Sequence, residues 1–319
     1  MKQLILPFNE SNSQSPSSEW DRDSTKHALD DLFKATFAYR KSIEYLKLAE
    51  FISKFRFYSP YNAFLIYTQR PGATYVAPAY RWAKQYGRKV KPNANPIVIL
   101  KPKGPVMFVF DVSDTESLKN APALPESVTD PFRIKQGTVE KEFDRTIENC
   151  KRDGIKILYQ KVGSQAAGSI QTVNVENSAG KLQFKTGEQK DTTPIYEMIL
   201  VKYEICLKED SENKMKTENY ATLVHELAHL YCGHLGTPNK KWWPDRRGLS
   251  HTAREFEAES VSYLVCKRMG IKTTAEEYLS GYVDKDPVLP KSMSLECIMK
   301  ASGLIEQMAG GNLKLRKDY

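Results

Sequence analysis

Two histidines four residues apart, His225 and His229, with Glu226 directly after the first, are the residues of this chain best suited to do chemistry. On a helix of 3.6 residues per turn they share one face, with about 5 to 6 Å between Cβ atoms, so both imidazoles reach a single ion. Glu226 falls beside that face, not on it. This is the pattern of zinc hydrolases, in which the ion lowers the pKa of a water to about 7 and the glutamate takes the proton as general base. The bland reading makes 220–230 a core helix in which Leu223, Leu227 and Leu230 follow helical spacing and the histidines are merely hydrogen-bonded. Location argues against it: of five histidines in 319 residues, His225, His229, His234 and His251 fall within 27 positions.

Catalytic zinc usually takes three protein ligands and leaves a fourth position open. His234 does not fit the elongated metzincin motif, which puts its third histidine one place later and its glycine one place before Gly233. Gly233 is instead expected to end the helix. Downstream, Glu255, Glu259, Ser262 and Cys266 line one stripe of a second helix, acidic at the top and small below, able to lie against the first. Two assignments fit. In one, Glu255 is the third ligand and Glu259, a turn on, orients a histidine through its second ring nitrogen. In the other, Thr252 and Glu255 form a capping box and Glu259 becomes the ligand. Glu257 is expected to point away from both and be solvated. Cys232 and Cys266 lie near in sequence, yet buried packing is their expected role. Tyr231, His234, His251 and Tyr263 are unranked candidates for stabilising a developing oxyanion.

The elements that must position these residues divide by composition. Residues 51–110 hold ten Lys or Arg and no Asp or Glu, a charge of +10 where the whole chain carries +8, together with thirteen aromatics. Cationic grooves with aromatic platforms hold single strands, because phosphates meet the charges while unstacked bases stack on rings. Arg70, Arg81, Lys84, Arg88, Lys89 and Lys91 are the expected phosphate contacts and Trp82 the expected platform. The competing reading is a solvated basic face over a core of strand-favouring aromatics.

The organisation expected is α+β in two domains: a polar, disordered tail at 1–25, a module at 26–115, a proline-rich linker at 116–135 and a second domain at 136–319. In the module, helical periodicity runs through Leu29, Phe33 and Phe37 and again through Tyr45, Leu48, Phe51 and Phe55. Ser59 and Pro60 open a short helix, and strands follow at 75–76, 97–100 and 106–112. The second domain opens on a helix through Val139, Phe143 and Ile147, then strands at 155–159, 170–175, 182–184 and 195–201, then the histidine helix. Five scattered cysteines with no C-x-x-C pair point to a reducing compartment. With an initial apolar run too short for a signal peptide and no run of membrane length, the expected location is cytoplasmic, away from any membrane.

The pattern from His225 to His229 followed by Glu255-x-x-Ala258-x-x-x-Ser262 resembles the ImmA/IrrE-type metallopeptidases, and that resemblance implies Glu255 as the third ligand. A closer resemblance is to the ArdC-type antirestriction proteins, which join such a zincin-like metallopeptidase domain to an N-terminal single-stranded-DNA-binding domain. It is carried by the segment from Tyr58 through Asn62 to Leu65, Trp82 with Gly87 and Arg88, the run from Ile97 to Pro102 and the run from Val109 to Thr115. Together the two resemblances cover most of 26–310. They imply a Zn2+ or other divalent metal cofactor, single-stranded DNA as a partner and a peptide substrate. The alternative is a non-enzymatic single-strand-binding antirestriction or plasmid-maintenance protein with a structural or vestigial metal site. An intact Glu226 favours the enzyme, since a structural site has no use for a general base.

Overall fold

The structure, a computed structural model, describes residues 42–101, 104–129, 139–160, 168–173, 180–189, 192–209, 216–285, 288–311 and 313–316. The expected tail at 1–25, the repeat through Leu29, Phe33 and Phe37, residues 130–135 of the expected linker and 136–138 of the expected second domain lie outside them. The fold is mixed α+β, and the chain divides into two compact units, Met1–Arg133 and Ile134–Tyr319.

In the first unit, α1 (Ser42–Lys54) buries Tyr45, Leu48 and Ile52 along one face. The next helix, α2 (Pro60–Gln69), starts where the sequence places it. Ser59 Oγ accepts from the Asn62 N–H, and Pro60 sits in the first turn, where a missing N–H costs nothing. Then come β1 (Val76–Ala77), α3 (Ala79–Tyr86), β2 (Arg88–Val90), β3 (Ile97–Lys101), β4 (Gly104–Asp111), β5 (Thr115–Ser117) and the short α4 (Glu126–Thr129). Strand β4 is central, antiparallel to β1 and β3. The outer edge of β3 is closed by side chains: the amides of Asn62 and Gln69 each donate to and accept from one residue of it, Leu100 and Val98, at 2.8–3.0 Å.

Helix α3, ended by Gly87 at φ 58°, carries Trp82 and Tyr86 into a core with Tyr75, Ala77 and Val128. Trp82 is 0% exposed and its Nε1–H donates to the Phe110 carbonyl at 2.9 Å. The expectation of a stacking platform at Trp82 is therefore corrected: the indole is core. Within the expected linker, β5 pairs with β2 and Val128 fills this same core, so the described part of 116–129 packs as part of the first unit.

The second unit runs α5 (Glu140–Cys150), β6 (Ile155–Gln160), β7 (Ser169–Thr172), β8 (Lys181–Glu188), β9 (Pro194–Leu200), β10 (Tyr203–Lys208), α6 (Lys216–Tyr231), α7 (His251–Arg268), α8 (Ala275–Lys285) and α9 (Leu295–Gly310). Strand β10 lies between β6, to which it is parallel, and β7, to which it is antiparallel, while β8 and β9 form a separate hairpin. Sequence reading missed β10, although Tyr203, Ile205 and Leu207 alternate as buried residues. Only two residues separate it from β9, so the two read as one apolar run. Helices α6 and α7 pack together, with α9 against both. Leu223, Leu227 and Leu230 of α6 and Phe256, Val261 and Leu264 of α7 are fully buried. So are Cys232 and Cys266, which serve as packing residues, as expected; burial pushes the Cys266 thiol up to about 12.

Candidate metal centre

Helix α7 begins at His251, and Ser250 Oγ caps it by accepting from the Ala253 N–H. Ser250 thus does the work that a capping box would have given to Thr252 and Glu255, and the Glu255 carboxylate faces α6 instead. The two Nε2 atoms of His225 and His229 are 3.2 Å apart; Glu255 Oε2 lies 3.6 Å from the first and Oε1 3.5 Å from the second. With metal–nitrogen bonds of about 2.0–2.1 Å, the edge of a tetrahedron around zinc is about 3.3 Å. Each of these separations is close to that edge, with Glu255 meeting the two rings through different oxygens, and one ligand atom from each of the three residues lies within 4.8 Å of the others; the soft–hard balance of two imidazoles and a carboxylate suits zinc and its first-row neighbours. Glu259 reaches the other nitrogen of the same ring, with Oε1 3.5 Å from His225 Nδ1. Of the two acidic residues on the stripe, Glu255 is the one that meets both Nε2 atoms.

Electrostatics follow from the crowding. Burial and the neighbouring His225 push His229 down to about 3, so its ring is neutral over the physiological range. Burial also opposes a charge on His225, but the hydrogen bond with Glu255 and the charges of Glu259 and Glu226 outweigh it and hold that ring above the ordinary value. The hydrogen bond with His225 in turn draws Glu255 below the usual carboxylate range. Glu226 stands outside this group of donors. Burial raises its pKa, and Glu255 adds to this against the pull of His225 and a hydrogen bond from the Ile170 N–H. Together with His225, Glu259, Thr222 and Lys272 it lines a cleft of about 710 Å³. A carboxylate of raised basicity at the wall of a cleft is suited to accept a proton.

Two corrections lie on the far side of His229. Gly233, at φ 84°, ends α6 in a Schellman turn: its N–H donates to the Leu230 carbonyl and the His234 N–H to the His229 carbonyl, both at 2.9 Å. That turn brings the residue after the glycine back over the one five before it, and here both are histidines, with Nδ1 to Nδ1 2.9 Å. His234 is therefore a buried neighbour of His229. Glu257, expected to be solvated, is fully buried. Its Oε2 faces His234 Nε2 at 2.9 Å, and the Arg246 guanidinium donates to both its oxygens at 2.6 and 2.7 Å. Cys232, His234 and Glu257 also lie close enough to hold an ion, but Arg246 and the Ser294 N–H, 2.6 Å from Glu257 Oε1, already fill the carboxylate. Tyr231 is no oxyanion donor, because its buried hydroxyl donates to Asp153.

In the first unit, much of the expected phosphate-binding set is spent internally. Arg70 pairs with Asp114 and donates to Ser113 Oγ. The Arg88 guanidinium donates to Thr115 Oγ1, the Thr115 carbonyl and Ser117 Oγ, and Lys91 Nζ to the Ser113 carbonyl. Lys84 and Lys89 are exposed, and Arg81 bonds only Gln85 along its own helix among the described residues. Among the described residues of this unit the exposed aromatics are Tyr80, 71% exposed, and Phe57, 51% exposed. Tyr80 and Lys84 are one turn apart on the outer face of α3, opposite Trp82.

No family model matches the chain. An uncharacterised protein of Bacillus anthracis is 25% identical over 284 residues, which take in 79% of this chain and 45% of that protein, so the chain spans under half of that relative's length. Two solved structures of the antirestriction ArdC protein from the R388 plasmid, one metal-free and one Mn(II)-bound, are 13% and 14% identical with TM-scores of 0.33 and 0.37. Each alignment covers 90% of this chain, and 96% and 95% of the respective ArdC chain. At those scores the superposition transfers no residue role. Among the described residues no helix is long and apolar enough to cross a membrane.

Proposed function

We propose that the second unit is a metal-dependent peptidase in which His225, His229 and Glu255 hold a divalent ion and Glu226 is the general base. The observation that supports it is the convergence of His225, His229 and Glu255, with the two Nε2 atoms 3.2 Å apart and a Glu255 oxygen 3.5–3.6 Å from each, and with Glu226 beside them at the wall of the cleft. A Zn2+ or Mn2+ ion bound there would supply Lewis acidity and make a water nucleophilic near neutral pH. Glu226 takes the proton from the attacking water on its carboxylate and returns it to the leaving amine. The Ile170 N–H holds that carboxylate at the cleft. Among the described residues β7, which contains Ile170, is hydrogen-bonded to β10 on one side only. Its other edge can take an extended peptide by strand addition.

The test is metal content and cleavage of an unstructured peptide library by the full chain. Wild type and Glu226→Gln are expected to carry about one ion each, with cleavage in wild type alone, and His229→Ala to lose both. Equal metal in wild type and His229→Ala would overturn the site. A metal-loaded wild type that cleaves nothing Glu226→Gln spares would leave a binding protein with a structural metal.

We propose further that the first unit binds single-stranded DNA through the outer face of α3. Tyr80 carries this reading as an exposed ring beside Arg81 and Lys84. Fluorescence anisotropy with a labelled single strand should show Tyr80→Ala weakening binding at unchanged salt slope, by about 1–3 kcal/mol if one base stacks on it. Lys84→Ala with Lys89→Ala should lower the slope by roughly 0.7 per lost phosphate contact. Salt-independent binding, or none at low salt, overturns it.

A further inference from the structure

We propose that His234, Glu257 and Arg246 act as positioning residues that fix which nitrogen of the His229 ring carries the proton. This deepens the metal-centre reading and rests on it only for its purpose, not for its geometry. A histidine that ligates through Nε2 must carry its proton on Nδ1, and an unrestrained neutral imidazole populates both tautomers. Here the choice is dictated from the far end of a buried chain of contacts. Arg246 has donors only, and it gives two of them to Glu257; the Ser294 N–H gives a third. The carboxylate is thus an acceptor at every contact, so His234 Nε2, 2.9 Å from Oε2, is the donor there. With one proton on that ring, His234 Nδ1 is left as an acceptor. It faces His229 Nδ1 at 2.9 Å, so His229 must donate. Its Nε2 lone pair then points, bare, at His225 Nε2 and Glu255.

The chain is held where it must be. The side chains of His234 and Glu257 are almost without exposure, so no water competes for these contacts. The Schellman turn at Gly233 fixes the approach of one ring to the other, and Arg246 is tied to the same turn by its N–H, which donates to the Gly233 carbonyl at 2.8 Å. The second ring nitrogen of metal-binding histidines ordinarily meets a carboxylate or carbonyl directly. In this chain a second histidine is interposed, and the permanent charge of Arg246 sets the direction of both protons.

The experiment uses the full chain with 15N-labelled histidine, stripped of metal, and reads each tautomer from two-bond 1H–15N couplings near pH 7.5. His229 should be the Nδ1–H tautomer and His234 the Nε2–H tautomer; His229 protonated on Nε2 overturns the proposal, whether or not the chain binds metal. Zinc affinity by chelator competition then reads the consequence. His234→Phe should weaken it about 10–100-fold, and His234→Asn, whose carbonyl oxygen replaces Nδ1 as acceptor, should recover most of that loss. Equal weakening in both variants, with His229 unchanged in tautomer, assigns His234 a packing role and overturns the proposal. A wild type that takes up no zinc overturns the metal centre, while its tautomers still decide this inference.

Discussion

Glu226 and Glu255 are both carboxylates near the same two rings, and the structure separates them by direction, which is what the proposed roles rest on. Glu255 spans the two Nε2 atoms, whereas Glu226 is buried beside them with its basicity raised. Glu226→Gln is therefore expected to lower kcat by about 10²–10⁴-fold with metal content unchanged, a split read by parallel activity and metal assays. Glu255→Gln should weaken zinc binding more than Glu259→Gln, since Glu259 meets only the outer nitrogen of His225. The reverse order in a chelator titration would reassign the third ligand. The face shared by His225 and His229 and the acidic stripe of Glu255 and Glu259 were legible in sequence, because periodicity reports a shared face without any tertiary knowledge, but periodicity left open which of the two glutamates meets both rings. Arg246, His234 and Glu257 were not legible. Arg246 lies between the helices, outside any periodic pattern, and Glu257, two places on from Glu255 along a helix, looks solvated until a partner from elsewhere reaches it.

At the scale of elements, the turn after α6 determines whether His234 can reach His229 at all. Gly233 was readable as a helix stop, but not the price of replacing it: a Cβ there would stand 2.1 Å from the Pro244 carbonyl oxygen, in a backbone conformation that L-residues avoid. Gly180 has a similar φ, 88°, with nothing within 4 Å of an added Cβ. Gly180→Ala should cost about 1–2 kcal/mol from the backbone alone, and Gly233→Ala should cost more and also weaken metal binding. Urea unfolding compared across the two variants isolates the Pro244 contact; equal losses would mean that the turn moves aside freely. The elements that escaped sequence reading share a cause. Helix α3 is eight residues long and β10 follows β9 after two residues, so neither offers a window in which one period stands out. Their placement bears on both proposals, since α3 turns Trp82 inward and Tyr80 outward and, among the described residues, β7 lies at the end of the β6–β10–β7 sheet.

Over the second unit as a whole, the histidine helix is anchored at its end by a buried charge cluster that joins distant parts of the chain. Asp153, next to the turn before β6, accepts from the Tyr231 hydroxyl at the end of α6 and pairs with Arg152 and Arg316, and Arg316 also lies 5.2 and 5.1 Å from the rings of Trp242 and Trp243. Burial alone would raise the Asp153 pKa, but the hydrogen bond from Arg316 and the charge of Arg152 outweigh it and hold the carboxyl below its ordinary value. A carboxyl whose folded pKa is depressed contributes stability that is present above the unfolded value, about 3.9, and is lost as pH falls through the folded value. Asp153→Asn leaves two buried guanidinium groups without their counter-charge and should cost about 3–5 kcal/mol at pH 7. Wild type lacks that stabilisation once its own Asp153 is protonated, so the gap between the two proteins should narrow as pH drops below about 4. Other carboxylates titrate identically in both proteins and cancel from the difference. Denaturant midpoints for wild type and Asp153→Asn at pH 7, 5, 4 and 3 would measure it, and a gap of constant size down to pH 3 would show that the cluster stabilises through packing and not through the Asp153 charge.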